Sequence, residues 1–427
     1  MTFHRRQFLR LSVGAAALGA SASLWPRTLT AHAASTGGYR ALVCIFLFGG
    51  LDSHDLLLPY DADSYSSFST IRQSLLNLYG ETRSRDNLLF LSPDNAANFG
   101  SRQFALPPEM PELKRLFDDG RAAIVANVGP LLEPVSAQAF ADDTARIPSR
   151  LFSHNDQQST WQASEPEGAQ LGWGGLFADA ALASGANNAE PEFTTLATAG
   201  VGPFLTGRVA SPYQVSTSGS AGLTALDSLQ GSGFEDFLTQ AENRFRADGF
   251  NESHILARDI ATKFRQGIDT NRIFDAARSN GSPLSTVFPD SSLGSQLKVV
   301  AETIAIRGAL SASRQIFFVG TGGFDTHSNQ ANDLPGLLGQ IDAALSSFDA
   351  AMTELGVEDD VTAFTASDFG RTLAVNGDGT DHGWGGHHIV MGGSVKGRNI
   401  LGSVPETRFG HDRDGGGGRL IPSLAVE

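Results

Sequence analysis

The chain has 427 residues, of which 41% are hydrophobic and 18% charged, the latter below the roughly 25% usual for soluble proteins. That much apolar material builds a large core and excludes a disordered or fibrous chain. With 31 basic against 46 acidic residues the net charge is -15, which leaves no electrostatic footprint for nucleic acid or an anionic membrane. The single cysteine, Cys44, excludes an intramolecular disulfide and a zinc site built from several thiolates.

Residues 1–34 contain no Asp or Glu but hold Arg5, Arg6, Arg10 and Arg27. A basic start precedes a small-residue apolar stretch from Leu11 to Leu24 and then Ala31-His32-Ala33, the order of a secretory signal with an A-x-A cleavage site. Consecutive arginines followed by Phe8-Leu9 make it twin-arginine in type. The alternative, an uncleaved anchor, sits badly with an apolar core this short and this rich in Gly and Ala. The expectation is export by the twin-arginine translocase to a periplasm or the exterior, and one domain over 35–427.

Tyr39 to Phe48 is a nearly unbroken apolar run ending in Gly49-Gly50-Leu51-Asp52, as strands of a covered parallel sheet read. Cys44, in mid-run, reads as a buried small hydrophobe. From Pro111 a helix face of Leu113, Leu116 and Phe117 stops at Gly120 and gives way to a strand over Ala122–Val128. A helix around Leu297, Val300 and Ile304 leads to a strand over Gln315–Val319 and then Gly322-Gly323-Phe324-Asp325. Leu334, Leu338, Ile341, Leu345, Phe348, Met352 and Leu355 step by four and three, which predicts an amphipathic helix stopped by Gly356. A strand over Val361–Ala366 follows and opens into Ser367-Asp368-Phe369-Gly370-Arg371. Alternating helices and apolar strands predict an α/β sheet. Residues 200–290 break that rhythm and read as an insertion or cap.

Ligands of open α/β sheets sit beyond the carboxyl ends of the strands, and three of the four strands end there with an aspartate: Asp52, Asp325 and Asp368. His327 follows Asp325 by two, while His382, His387 and His388 crowd into one short segment. Carboxylate with imidazole suits zinc, manganese or iron, whereas oxygen-only sites suit magnesium or calcium. One metal needs three or four of these groups; two metals would use nearly all. Each residue also has a plainer reading. A strand-end Asp is often a helix cap or an Asx-turn, and adjacent His387 and His388 cannot easily face one site. Asp412 and Asp414 could form a calcium loop or simply a turn.

A nucleophile candidate is Ser153, in Arg150-Leu151-Phe152-Ser153-His154-Asn155-Asp156-Gln157. It reads equally as a helix N-cap, but a helix N-terminus also holds phosphate or sulfate esters by its free N–H groups. Arg150 and Arg371 are candidates for bidentate anion binding.

The motifs RRQFLR, LVCIFLFGGLDSHDLLLPYD, SHNDQQSTWQ, GWGGLFAD, VGTGGFDTH, ASDFGRT and DHGWGGHHIVMGG, in order from Arg5 to about Leu420, resemble the exported domain-of-unknown-function 1501 family, placed in the alkaline phosphatase and sulfatase-like superfamily. The resemblance implies an alkaline-phosphatase-like three-layer α/β sandwich with a mostly parallel central sheet. It also implies a divalent metal, with zinc ranked ahead of manganese, calcium and magnesium. Carried over by position, it assigns Asp52, Asp325, His327, Asp368 and His382 or His387 to metal and Ser153 to the nucleophile. The superfamily usually has Asp-His where this chain has Asp368-Phe369, which leaves a two-metal site short of a ligand unless His382 supplies it. Related chains continue past Ile421-Pro422-Ser423, so a C-terminal truncation is expected.

The leading functional expectation is a metal-dependent hydrolase of a small anionic phosphate or sulfate ester. In it Ser153 attacks and Arg371 or Arg150 steadies the anion. The rival is a non-catalytic exported protein that binds in the same pocket or serves an envelope assembly.

Overall fold

The computed structural model describes residues 38–200, 202–217, 219–220 and 255–426. The segment 1–34 read as an export signal lies outside them, as does the stretch 221–254 of the predicted insertion.

In chain order the strands that matter here are β1 (Arg40–Leu47), β2 (Ala122–Gly129), β3 (Thr195–Ala197), β4 (Tyr213–Ser216), β5 (Arg314–Thr321) and β6 (Val361–Ser367). They are followed by β7 (Arg371–Asn376), β8 (Gly379–His382), β9 (Gly386–Met391) and β10 (Ile400–Gly402). The helices are α1 (Ala62–Ile71), α2 (Gln73–Tyr79), α3 (Pro111–Asp118), α4 (His154–Ala163), α5 (Trp173–Ala183), α6 (Ile255–Asn280), α7 (Ser292–Ala305) and α8 (Gln330–Glu354).

The central sheet runs β10-β2-β9-β6-β1-β5-β3-β4, with short strands at 219–220 and 424–425 completing ten among the described residues. Pairing is parallel from β6 through β1, β5 and β3 to β4. β9 enters antiparallel between β6 and β2. The architecture is therefore α/β with a mostly parallel central sheet. Of the described part of 200–290, β4 pairs with β3 at the sheet edge, and α6 packs Phe274 against Phe193 and Tyr213.

Side chains of a strand alternate across the sheet, and β1 shows what each face meets. Ala41, Val43, Ile45 and Leu47 join a core with α3, α7 and α8, whereas Cys44 and Phe46 join Trp161 of α4 and Ala178 of α5. The sheet is thus covered on both faces, which is why β1 reads as an unbroken apolar run. In α8 the stripe from Leu334 to Met352 is buried. The helix closes in a Schellman motif: Gly356, at φ 62°, bonds to Thr353 O and Val357 N to Met352 O.

Register positions the site. Leu47 of β1 lies beside Thr321 of β5 and Ser367 of β6. The three chain segments leaving those strands, at Asp52, Asp325 and Asp368, consequently emerge along one edge of the sheet. Gly49 and Gly50, at φ 117° and 88°, let β1 end close against its neighbours; a Cβ at Gly49 would lie 2.3 Å from Asp325 N, and one at Gly50 2.4 Å from the Phe369 ring.

Candidate metal centre

Asp325 leaves β5 in a tight turn, with Thr326 N bonded to Phe324 O and His327 N to Asp325 O. Its carboxylate is half-exposed, and three imidazoles surround it. His154 Nε2 lies 3.5 Å from Oδ2, while His327 Nε2 and His382 Nε2 lie 3.2 and 3.6 Å from Oδ1. His154 comes from the first turn of α4, on the opposite side of the sheet from α8, and His382 from the end of β8.

Each ring turns its other nitrogen to an oxygen. His154 Nδ1 lies 2.6 Å from Asp368 Oδ2, and His382 Nδ1 donates to the Phe152 carbonyl at 2.8 Å. His327 Nδ1 faces Asp381 Oδ1 at 3.5 Å. A carbonyl can only accept, so neutral His382 carries its proton on Nδ1 and offers a lone pair at Nε2. Phe152 sits at φ 75°, a left-handed conformation that bulky residues rarely adopt. Strain of this kind persists where surrounding structure imposes it, and here it accompanies a carbonyl aimed at a ring of the cluster.

The charges are balanced by Arg371, whose Nη2 donates to Asp325 Oδ1. Burial opposes charge on Asp325, but Arg371 and the neighbouring imidazoles outweigh it and hold the carboxyl below its usual range. The Asp368 hydrogen bond pushes His154 upward against burial, with Asp325 adding to the effect. Burial pushes His382 down, aided by the neighbouring His154 and Arg371.

His154, Asp325 and His382 offer ligand atoms within 4.8 Å of one another, a group that could hold a metal ion. Ligand atoms on one tetrahedral zinc lie about 3.3 Å apart for bonds of about 2.0–2.1 Å. The three Asp325 distances straddle that value. His327 and His382 are closer, with their Nε2 atoms 2.7 Å apart and hydrogen-bonded, and His327 stands beside the group of three. His154 Nε2 is buried without a hydrogen-bond partner, a condition that coordination would satisfy.

The remaining predicted residues lie around this group. Asp368, fully buried, bonds through Oδ2 to His154 and to Gln158 Nε2 at 2.9 Å, so it orients a ligand rather than facing Asp325 itself. Asp52 is outside the cluster: Arg72 grips it through Nη1 and Nη2 at 2.6 and 3.1 Å, Gln330 Nε2 adds a bond at 2.6 Å, and all three side chains are buried. With its oxygens so engaged it has no open face for an ion. His387 is buried, its Nδ1 accepting from Asn127 N at 3.0 Å, and His388 packs edge-on against Trp161. Arg371 is also buried, its donors directed to the carbonyls of Gly49, Gly50, Phe324 and Thr380 besides Asp325. It pins the cluster and is not placed to clamp a substrate anion. Asp414 closes its own turn by accepting from Gly410, Gly416 and Gly418 N, and Asp412 is exposed.

Ser153 is the N-cap residue of α4, but its side chain makes no capping bond. Its Oγ donates instead to Asp156 Oδ2 at 2.8 Å. Asp156 Oδ1 accepts from Glu167 N at 3.2 Å and from Arg150 Nη1 at 3.3 Å. Burial opposes charge on Asp156, yet these donors keep its carboxyl low. In sequence Ser153 lies between Phe152 and His154, both of which touch the cluster. Reading the residues alone did not single out His154 as a ligand, although a histidine opening a helix after a serine cap was a usable signal.

Fold and cluster define an α/β protein with an Asp–His centre at the carboxyl edge of its sheet. The chain belongs to the family described as "Protein of unknown function (DUF1501)", whose model matches residues 39–415. Among solved structures it is similar to Ps i-CgsB in complex with k-i-k-neocarrahexaose, at 10% identity and a TM-score of 0.33, covering 86% of this chain and 69% of that one. It is also similar to the C-terminal periplasmic domain of EcEptC from Escherichia coli in complex with Zn, at 10% identity and a TM-score of 0.31, covering 84% and 75%. Likeness at that level says nothing of this chain's chemistry. No curated protein matches the chain.

Proposed function

We propose that the protein is an exported hydrolase of the sulfatase and alkaline phosphatase type that acts on a phosphate or sulfate ester around one divalent ion. The observation that carries this reading is the convergence of three imidazole Nε2 atoms on Asp325 while an oxygen faces each Nδ1. Outer partners of this kind fix the tautomer and orientation of metal-binding histidines. In this reading His154, Asp325 and His382 hold the ion, His327 completes the set, and Asp368, Asp381 and the Phe152 carbonyl hold the ligands. Three nitrogens and one carboxylate favour zinc over calcium or magnesium. A second ion is not called for, because Arg72 already neutralises Asp52.

A divalent ion bound here supplies a positive field that polarises the ester's phosphoryl or sulfuryl oxygens. Ser153 is the attacking group, and Asp156 orients its hydroxyl. Being held low, Asp156 is a weak base, so its part is to orient the Ser153 hydroxyl rather than to deprotonate it. The first N–H groups of α4 lie beside Ser153 and suit the ester's anionic oxygens. Arg150 is largely exposed and tied to Asp156.

The rival reading, a non-catalytic exported binding protein, draws on Asp52 being occupied by Arg72 and on Phe369 standing where a histidine ligand is usual. Metal analysis of the purified protein and turnover of 4-nitrophenyl phosphate and 4-nitrophenyl sulfate separate the two. The hydrolase reading expects about one ion per chain and activity reduced at least a hundredfold by Ser153→Ala. A chain that takes up no ion on reconstitution supports the rival, and turnover that survives Ser153→Ala removes Ser153 from its role.

A further inference from the structure

Beside the Asp–His centre, α4 presents a second face. Asn155, Gln158, Ser159 and Gln162 recur at helical spacing and line a cleft of about 490 Å³, a size that suits a small ligand. Phe48, from the end of β1, and Glu167 stand among its other walls.

Two bonds join this cleft to the centre. Gln158 Nε2 donates to Asp368 Oδ2, the same oxygen that meets His154 Nδ1. The backbone N–H of Glu167 donates to Asp156, which holds Ser153. Gln158 thus stands both in the cleft wall and beside the Asp–His centre.

The lining selects against several ligand classes. Glu167 is the charged residue among the described residues lining the cleft, and neither Lys nor Arg is with it, so a second phosphate or a carboxylate would be repelled. A plain alkyl chain would cover the Asn155 amide and whatever the Gln158 and Gln162 amides, already bonded to Asp368 and to Phe204 N, leave unpaired. Those amides both donate and accept, as alcohol hydroxyls do, and Glu167 adds an acceptor. Phe48 supplies an apolar surface for C–H faces.

We propose that this cleft binds the uncharged, polyhydroxylated part of the substrate, a sugar residue whose phosphate or sulfate ester sits at the Asp–His centre. The sugar claim is separable from the hydrolase reading, but its place in a reaction rests on that reading. When it reacts, the bond from phosphorus or sulfur to the sugar oxygen breaks and that oxygen takes the electron pair, as Ser153 Oγ forms the new bond to phosphorus or sulfur. The Ser153 proton passes to the departing oxygen by way of solvent. Water then attacks phosphorus or sulfur, the bond to Ser153 Oγ breaks, and inorganic phosphate or sulfate leaves as Oγ regains a proton.

The test uses the full chain in two arms. In the first, saturation-transfer NMR reports binding of the methyl glycosides of glucose, galactose, mannose and N-acetylglucosamine, none of which can be hydrolysed as an ester. At least one should bind, and Asn155→Leu or Glu167→Gln should weaken it fivefold or more; both positions are exposed, so the variants retain the core. In the second arm, kcat/KM for hexose 6-phosphates and 6-sulfates is compared with that for ethyl phosphate and ethyl sulfate. The sugar esters should be preferred at least tenfold, with the ratio reduced toward one in the same variants.

Binding of no glycoside, or binding indifferent to both substitutions, overturns the cleft assignment. Glycoside binding without hydrolysis of any ester keeps the cleft and removes the hydrolase reading beneath it. Hydrolysis with no preference for sugar esters leaves the centre intact and overturns the proposal.

Discussion

Replacing Asp368 by asparagine changes one heavy atom at a fully buried position and tests whether the centre binds metal at all. The carboxylate offers Oδ2 to His154 Nδ1 at 2.6 Å and to Gln158 Nε2 at 2.9 Å. An amide keeps one acceptor and loses the charge that makes the imidazole a better donor ligand. Outer-shell substitutions of this type weaken metal affinity about 10–100-fold, or roughly 1.4–2.7 kcal/mol. Linkage converts that into stability. With free zinc buffered at 100 times the wild-type Kd, binding adds about 2.7 kcal/mol to folding. In Asp368→Asn the same zinc concentration is only about 10 to 1 times Kd, and the gain falls to about 1.4 or 0.4 kcal/mol. Urea unfolding of both proteins, each with buffered zinc and with chelator, isolates this difference from any direct effect on the apo fold. If zinc stabilises neither protein, or stabilises both equally, His154 is not a ligand held by Asp368 and the centre as described is wrong.

Much of the scaffold was legible because its physics is local. Runs such as Tyr39–Phe48 and Val361–Ala366 are apolar on both faces because helices cover both faces. The period of Leu334 to Met352 reports a single buried stripe on α8, and Gly356 reports the left-handed turn that ends it. The antiparallel entry of β9 was not legible, since GHHIVM is short, carries two polar rings and has no crossover helix to announce its place. The centre divides the same way. Asp325, His327 and His382 lie in Gly-rich segments that mark themselves, and the structure brings them together. Asp52 looks identical in sequence, but its surroundings are set by Arg72, twenty residues on, between α1 and α2, where nothing local signals a partner. Arg371 looks like an anion clamp until the carbonyls of Gly49 and Gly50 fold over it. The Phe152 carbonyl has no residue-type signature at all, because its role depends on a backbone angle.

Arg72→Met should lower the free energy of unfolding by about 3–5 kcal/mol, the usual effect of leaving one charge of a buried pair alone, here Asp52. Denaturant titration with a double-mutant cycle through Asp52→Asn checks it, and additive single effects would show that the pair does not interact as drawn. Asp342 gives a pH dependence of opposite sign to that of a paired acid. It lies buried beneath the N-terminus of α3, accepting from Leu113 N at 2.6 Å and Glu112 N at 3.2 Å. Burial nevertheless outweighs those bonds and raises its pKa to about 6, above that of the unfolded chain. Folded protein therefore holds a proton that unfolded protein has released between about pH 4 and 6. The Asp342 contribution is fully present below pH 4 and is lost as pH rises through 6, a change on the order of 2–3 kcal/mol. Asp342→Asn cannot ionise, so the difference in unfolding free energy between variant and wild type should shift by that amount, in favour of the variant, between pH 4 and 7. A difference that stays constant across that range would show that the two α3 N–H groups hold the carboxylate charged throughout, and that helix-end hydrogen bonding rather than desolvation governs this position.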